Sequence, residues 1–207
     1  GQVGSMRAAR YIAMRRTDTP LETTEFVQCA ESDISEIKDL RDHILSGGDN
    51  VFGLFEAAAK RMSRAGGAVR DVSTINAAIS EITGDLSDFS KRVRGEGKAG
   101  FITALKLKNI LLSQYIYLKA MVDYADKYGE SRGSALYLDP RGETPHPALD
   151  KKFSFRCVES SSSKMVQEVI FTNGSCAFNW REVRPIPDEE DFFENVWRGY
   201  REDGNVR

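Results

Sequence analysis

Only two histidines and three cysteines stand in these 207 residues, and that scarcity removes several chemistries at once. A zinc or iron site needs clustered ligands, and His43 and His146 are too far apart in sequence to suggest one; both read as solvated or structural. Cys29, Cys157 and Cys176 show no paired metal spacing, and an odd number of scattered thiols suits a reducing cytoplasm. Cys29 has no placed histidine or helix N-terminus to lower its pKa, so it reads as a poor nucleophile. An excess of basic residues is also lacking. The net charge is −2 with lysine and arginine scattered, which argues against nucleic acid and anionic membrane as partners. No glycine-rich loop follows a strand, since Gly95-Glu96-Gly97 lies between helices, so nucleotide binding there is not expected. Nothing at the start resembles a secretion signal, and cytoplasmic is the default compartment. By residue chemistry alone the chain contains no complete active site.

What is present is apolar periodicity. Hydrophobic residues at 41% and charged residues at 29% are ordinary for a folded chain with a substantial core. The longest helical pattern starts at Phe101. Leu107, Ile110, Tyr117, Met121, Tyr124 and Tyr128 share one face, widened by Ala104, Leu111, Leu118, Val122 and Ala125, while Lys106, Asn109, Ser113, Asp123 and Lys127 take the narrow opposite side. Such breadth calls for at least two neighbouring elements. A membrane span needs ~20 predominantly apolar residues; Ser113, Gln114 and Lys119 break this one, so no membrane insertion is expected. Gly129 supplies the helix stop.

Three helices are expected before it. Ser32 or Asp33 caps the first, with Ile34, Ile37, Leu40, Ile44 and Leu45 on one side and Gly47-Gly48 as its end. Asp49 or Asn50 caps the second, which runs through Val51, Phe55, Ala58 and Met62 to Gly66-Gly67. The third carries the cleanest repeat: Val72, Ile75, Ile79, Ile82, Leu86, Phe89 and Val93, the seam of a bundle. Gly95, Gly97 and Gly100 read as a flexible turn. Short glycine connections imply antiparallel neighbours, so residues 49–128 should form a three-helix up-down-up bundle, capped at one end by the earlier helix.

Residues 1–16 read as a short helix with a basic end, followed by a linker around Pro20. Gly1 to Ser5 are either vector-derived or the first turns of a helix cut from something longer. Beyond the bundle, Pro140, Gly142, Pro145 and Pro147 exclude helix. Phe153, Phe155 and Cys157 alternate as a strand, and Met165–Phe171 and Cys176–Trp180 flank the hairpin turn Asn173-Gly174. A last helix capped by Asp188 should carry Phe192, Phe193, Val196, Trp197 and Tyr200 on one face. The fold class is therefore mainly α with a small β part: a three-helix up-down-up bundle, an antiparallel β-hairpin or sheet, and a C-terminal helix. Its divisions are 1–24, 25–142 and 143–207. One polar group stands out. Glu130, Arg132 and Arg141 crowd the end of the long helix, where arginine ties carbonyls to a carboxylate or contacts a substrate or partner.

Three stretches together resemble the C-terminal part of the fumarate reductase and succinate dehydrogenase flavoproteins, a family that includes L-aspartate oxidase. Met62, Gly67, Arg70 and the Ile75-to-Phe89 helix look like one bundle pattern of that family. Glu130-Ser131-Arg132-Gly133 matches the Glu-Ser-Arg-Gly that closes its last bundle helix, although the usual His-Tyr-Arg is replaced here by Ser134 to Leu138. Gln2 to Ala9 looks like the later turns of the helix whose N-terminus faces the flavin. Glu182-Val183-Arg184-Pro185 is similar to the closing hairpin. The resemblance implies an FAD-dependent oxidoreductase whose catalytic residues lie elsewhere, this chain being a non-catalytic portion that packs on an upstream FAD-binding domain. It implies FAD in the whole protein and none bound here, and an iron-sulfur or other electron-transfer subunit as a further partner. No catalytic residue carries over. Gly1 and Gln2 are the positions nearest the flavin, and Arg70, Glu130, Arg132 and Gly133 form a structural corner. The broad apolar face of the long helix and the aromatic last helix also suit a different class, a stand-alone helical protein-interaction module.

Overall fold

The computed structural model describes residues 2–15, 23–131, 135–157, 164–186, 188 and 192–203. Among these, the elements in chain order are α1 (Gln2–Arg15), α2 (Thr23–Ile44), α3 (Val51–Ala65), β1 (Val69–Arg70), α4 (Val72–Ser87), α5 (Phe89–Arg92), α6 (Gly97–Lys127), β2 (Leu136–Glu143), β3 (Met165–Thr172), β4 (Ser175–Glu182) and α7 (Phe193–Asp203). The mainly α fold with a small β part is the one its apolar spacing predicts.

Helices α3, α4 and α6 pack on one another as the three-helix bundle. Val51, Ala58 and Ala65 meet Ile75, Ala78 and Ile82 across Ala104, Leu107, Leu111 and Leu118, all buried in one cluster. Each Leu- or Ile-sized side chain contributes roughly 1.5–3 kcal/mol on leaving water. Small residues at 58, 65, 78 and 104 let the helices approach. The α4 seam departs from one continuous helix: α4 ends at Ser87, α5 makes a single turn, and Val93 is extended. Phe89 and Val93 nevertheless stay in the core. The break lets Arg92 swing back to Asp85, which also holds Arg61 of α3, at 2.8 and 2.6 Å.

Other boundaries differ from expectation for identifiable reasons. Helix α2 begins at Thr23, not at Ser32 or Asp33, because no glycine or proline interrupts Thr23 to Leu45 and Glu25 suits the positive end of the dipole. Only its last turns reach the bundle, where Ile44 is buried and its carbonyl accepts from Gly95 N at 3.1 Å. Asn50 stands at the α3 N-cap but caps nothing with its side chain. It clamps the distant loop instead, donating to Arg92 O and accepting from Arg94 N at 2.8 and 2.9 Å. Of the glycines expected to form a turn, Gly97 and Gly100 belong to the start of α6. A Cβ on Gly100 would stand 2.6 Å from the Gly95 carbonyl carbon, so two backbones touch where α6 enters the core. Tyr117, expected on the apolar face, is 64% exposed, whereas Gln114 is buried and donates to Ala58 O at 3.0 Å.

The β part is two small sheets. Strands β3 and β4 form the expected hairpin, pairing Met165 with Glu182 through Thr172 with Ser175. Asn173 and Gly174 both take left-handed φ, 51° and 79°, the combination that a two-residue turn of right-twisted strands requires. Around Pro140 and Gly142, where the sequence excludes helix, the chain forms strand β2, which pairs in parallel with β1, Val69 with Leu136 and Arg70 with Tyr137. The strand expected over Phe153 to Cys157 shrinks to Phe155 alone, which bridges both Leu138 and Glu143 of β2. Helix α7 starts at Phe193, not after Asp188; Glu189 to Asp191 of the expected first turn lie outside the described residues. No described helix is long and apolar enough to cross a membrane.

Candidate functional site at the end of the long helix

Helix α6 ends at Lys127, and Gly129 at φ +62° turns the chain sharply. An L side chain there would be strained, and its Cβ would also press on Ala125 O at 3.1 Å and Arg156 Nη1 at 3.2 Å. The turn delivers Glu130 into the interior, 6% exposed. Ser131 follows. Its N–H donates to Arg156 O and its hydroxyl accepts from Tyr137 N, both at 2.9 Å, which seats β2 against the helix end.

Arg70 approaches the same corner from β1. Its Nε donates to Gly67 O at 3.0 Å and its Nη1 to the Tyr137 hydroxyl at 3.2 Å, with the guanidinium 5.5 Å from the Tyr137 ring. Tyr137, which sequence reasoning missed, is buried where Arg70 and Ser131 both meet it. Arg132, Gly133 and Gly1 lie outside the described residues, and Gln2 opens α1, whose residues 3–15 are exposed. Arg141 does not join Glu130: it sits on β2 with Asp139, 87% exposed.

Aromatic rings extend the corner toward the hairpin. Tyr124 lies 5.7 Å from Tyr137 and 6.2 Å from Trp180, and Tyr128 lies 5.0 Å from Trp180. Lys127 covers the Trp180 ring at 4.8 Å. Asp123, expected to be solvated, accepts from Gln167 Nε2 at 2.7 Å and Trp180 Nε1 at 2.9 Å, pinning the hairpin to α6. Beside the corner an open cavity of about 300 Å³ is lined by Asp139, Arg141 and Arg156. The backbone N–H and guanidinium of Arg141 hold the Asp139 carboxyl below the usual carboxylate range, with Arg156 adding at longer range.

The other candidates have local duties. His43 Nδ1 meets Asp39 O at 2.9 Å, and His146 Nδ1 accepts from Ala148 N at 3.1 Å. The three cysteines are free thiols, and burial pushes the Cys176 thiol up. Among the described residues, neither the glycines around the start of α6 nor the bundle interior has room for a flavin dinucleotide. Gly95 and Gly100 fill one another's space, Gly97 opens a helix that follows a helix, and the cavity inside the bundle, lined by Leu54, Phe89 and Leu107 among others, measures about 20 Å³, room for a water but not a ring system. No protein-family model, no curated protein and no solved structure matches the chain.

Proposed function

We propose that this chain is the helical packing portion of a cytoplasmic FAD-dependent oxidoreductase of the fumarate reductase and succinate dehydrogenase flavoprotein type. In this reading it docks through α1 and α2 on a flavin-binding domain, shapes a surface for an electron-transfer subunit, and performs no redox chemistry itself. One observation carries the docking. Val3, Met6, Ile12 and Met14 of α1 and Phe26, Ile34 and Ile37 of α2 are all exposed on regular helices, an apolar area that a partner surface would cover. The Glu130-to-Gly133 turn and the Arg70 corner supply the resemblance that names the partner's class. The upstream reading frame tests it: an in-frame strand, glycine-rich turn and helix of the dinucleotide-binding kind is expected, and an upstream region without one overturns the reading. The chain alone should leave the visible absorbance of added FAD unchanged, and retention of flavin through gel filtration would refute the non-catalytic role.

A second reading, a stand-alone interaction module, is favoured by α7, whose Phe193, Trp197 and Tyr200 are exposed. Deleting 192–207 would then abolish partner capture while leaving the bundle folded.

A further inference from the structure

Strand β2 does not run straight. Phe155 bridges Leu138 and Glu143, residues on either side of Pro140, so β2 curves around the 154–156 segment. Gly142 makes the curve possible, because a Cβ there would collide with the Phe155 carbonyl. Two further bonds fix the arrangement, Asp139 N to Ser154 O at 3.0 Å and Ser131 N to Arg156 O at 2.9 Å. The consequence is that Arg141, from the outer half of β2, and Arg156, from the threaded segment, line one cavity with Asp139.

These side chains differ in how they are held. Arg156 is exposed, with its Nη1 3.2 Å from where a Cβ on Gly129 would stand. Arg141 reaches into solvent, restrained among the described residues by its contact with Asp139 at 3.4 Å. Asp139 is committed to Arg141 directly and to Arg156 only at longer range. Two guanidiniums and one carboxylate line this open volume of about 300 Å³. A guanidinium presents its donors in a planar fork, which matches two oxygens of one acid group.

We infer that the cavity between β2 and the 154–156 segment is a binding site for a small oxyanion, a carboxylate or phosphate group clamped between Arg156 and Arg141. Arg156 and Arg141, both exposed, each bring one guanidinium to the ligand, Arg141 exchanging its contact with Asp139 for one with the anion. The inference stands apart from the flavoenzyme reading, since it needs neither a flavin domain nor a partner subunit.

The test is a titration of the full 207-residue chain, followed by the arginine Nε–H resonances in nitrogen-15 NMR spectra. Sodium phosphate, sodium acetate and sodium chloride are compared at one ionic strength. Saturable shifts of two arginine signals, with a dissociation constant on the order of a millimolar, are expected with phosphate or with acetate and not with chloride. Saturation by phosphate alone identifies a phosphate ligand and saturation by acetate alone a carboxylate. Linear drift with all three salts overturns the site. Arg156→Gln should weaken binding about ten-fold. Arg141→Gln should weaken it several-fold without altering the melting temperature, because that side chain is almost fully exposed. Since the Arg141 variant is not needed for folding, unchanged affinity in it removes the clamp even if Arg156→Gln proves unstable.

Discussion

The bundle of α3, α4 and α6 and the outer helices α1, α2 and α7 all carry apolar faces, but among the described residues of the outer three Ile44 is the one fully buried apolar side chain. Helix α2 contains both situations on one face. Ile44 is fully buried and Leu40 packs on the core, while Ile37, one turn earlier, is 52% exposed and Phe26 is 63% exposed. Helical periodicity reports which residues share a face. It does not report whether that face has a neighbour, and the difference depends on where the helix leaves the bundle.

The comparison breaks most visibly under truncation of apolar side chains. Ile82→Ala removes a fully buried side chain and should cost about 2–5 kcal/mol in urea unfolding. Ile37→Ala, at a half-exposed position of α2, should stay within about 0.5 kcal/mol. Equal losses at the two positions would show that α2 is covered along its length in the isolated chain. Next in size is Gly100→Ala. The added methyl meets the Gly95 backbone and not a yielding side chain, so a loss of about 1–3 kcal/mol is expected by the same measurement.

A third variant sharpens the contrast at a helix end. Asp71 caps α4, accepting from Thr74 N at 2.8 Å, whereas the Asn50 side chain does not cap α3. Asp71→Ala should cost about 1 kcal/mol near neutral pH. The Ser73 hydroxyl does most to hold the Asp71 carboxyl below its ordinary pKa; desolvation opposes it, and the Thr74 hydroxyl and N–H add to the lowering. The unfolded chain therefore takes up a proton first as pH falls. The capping contribution is present above the unfolded pKa of about 3.9 and disappears as pH drops through the lower folded value. Thermal melts of wild type and Asp71→Ala should differ at pH 7 and converge in acid; a gap that persists at the lowest pH would mean that the carboxylate is not its source. The smallest effect belongs to Gln114, whose Oε1 is buried with no hydrogen-bond partner among the described residues. Gln114→Leu should be neutral or slightly stabilising, since it removes an unmet acceptor from an apolar interface. A loss above about 1 kcal/mol would show that the Gln114 bond to Ala58 O, or a bound water on Oε1, outweighs the unmet acceptor.

Much of this architecture is legible in the order of residues. The Ile75-to-Phe89 seam, the Gly129 stop and the Asn173-Gly174 hairpin each depend on spacing or on a backbone conformation that few residues tolerate, and each stands where expected. The corner is legible only in part. Arg70 and Glu130 can be named from sequence, but Tyr137, Trp180 and Asp123 cannot, because a tyrosine in a proline-rich stretch and an aspartate on a polar stripe carry no local mark of the partners they meet across the fold.

Sequence by itself settled where the bundle helices lie, where left-handed turns fall and where most apolar faces run, since these follow from near neighbours and steric limits on φ. Tertiary structure alone decided the rest: that a segment containing Pro140 and Gly142 becomes a strand because β1 and Phe155 lie alongside it, and that Arg141 and Arg156, fifteen positions apart, line one cavity. Pairings of that kind are set by chain path and packing, which no local pattern encodes.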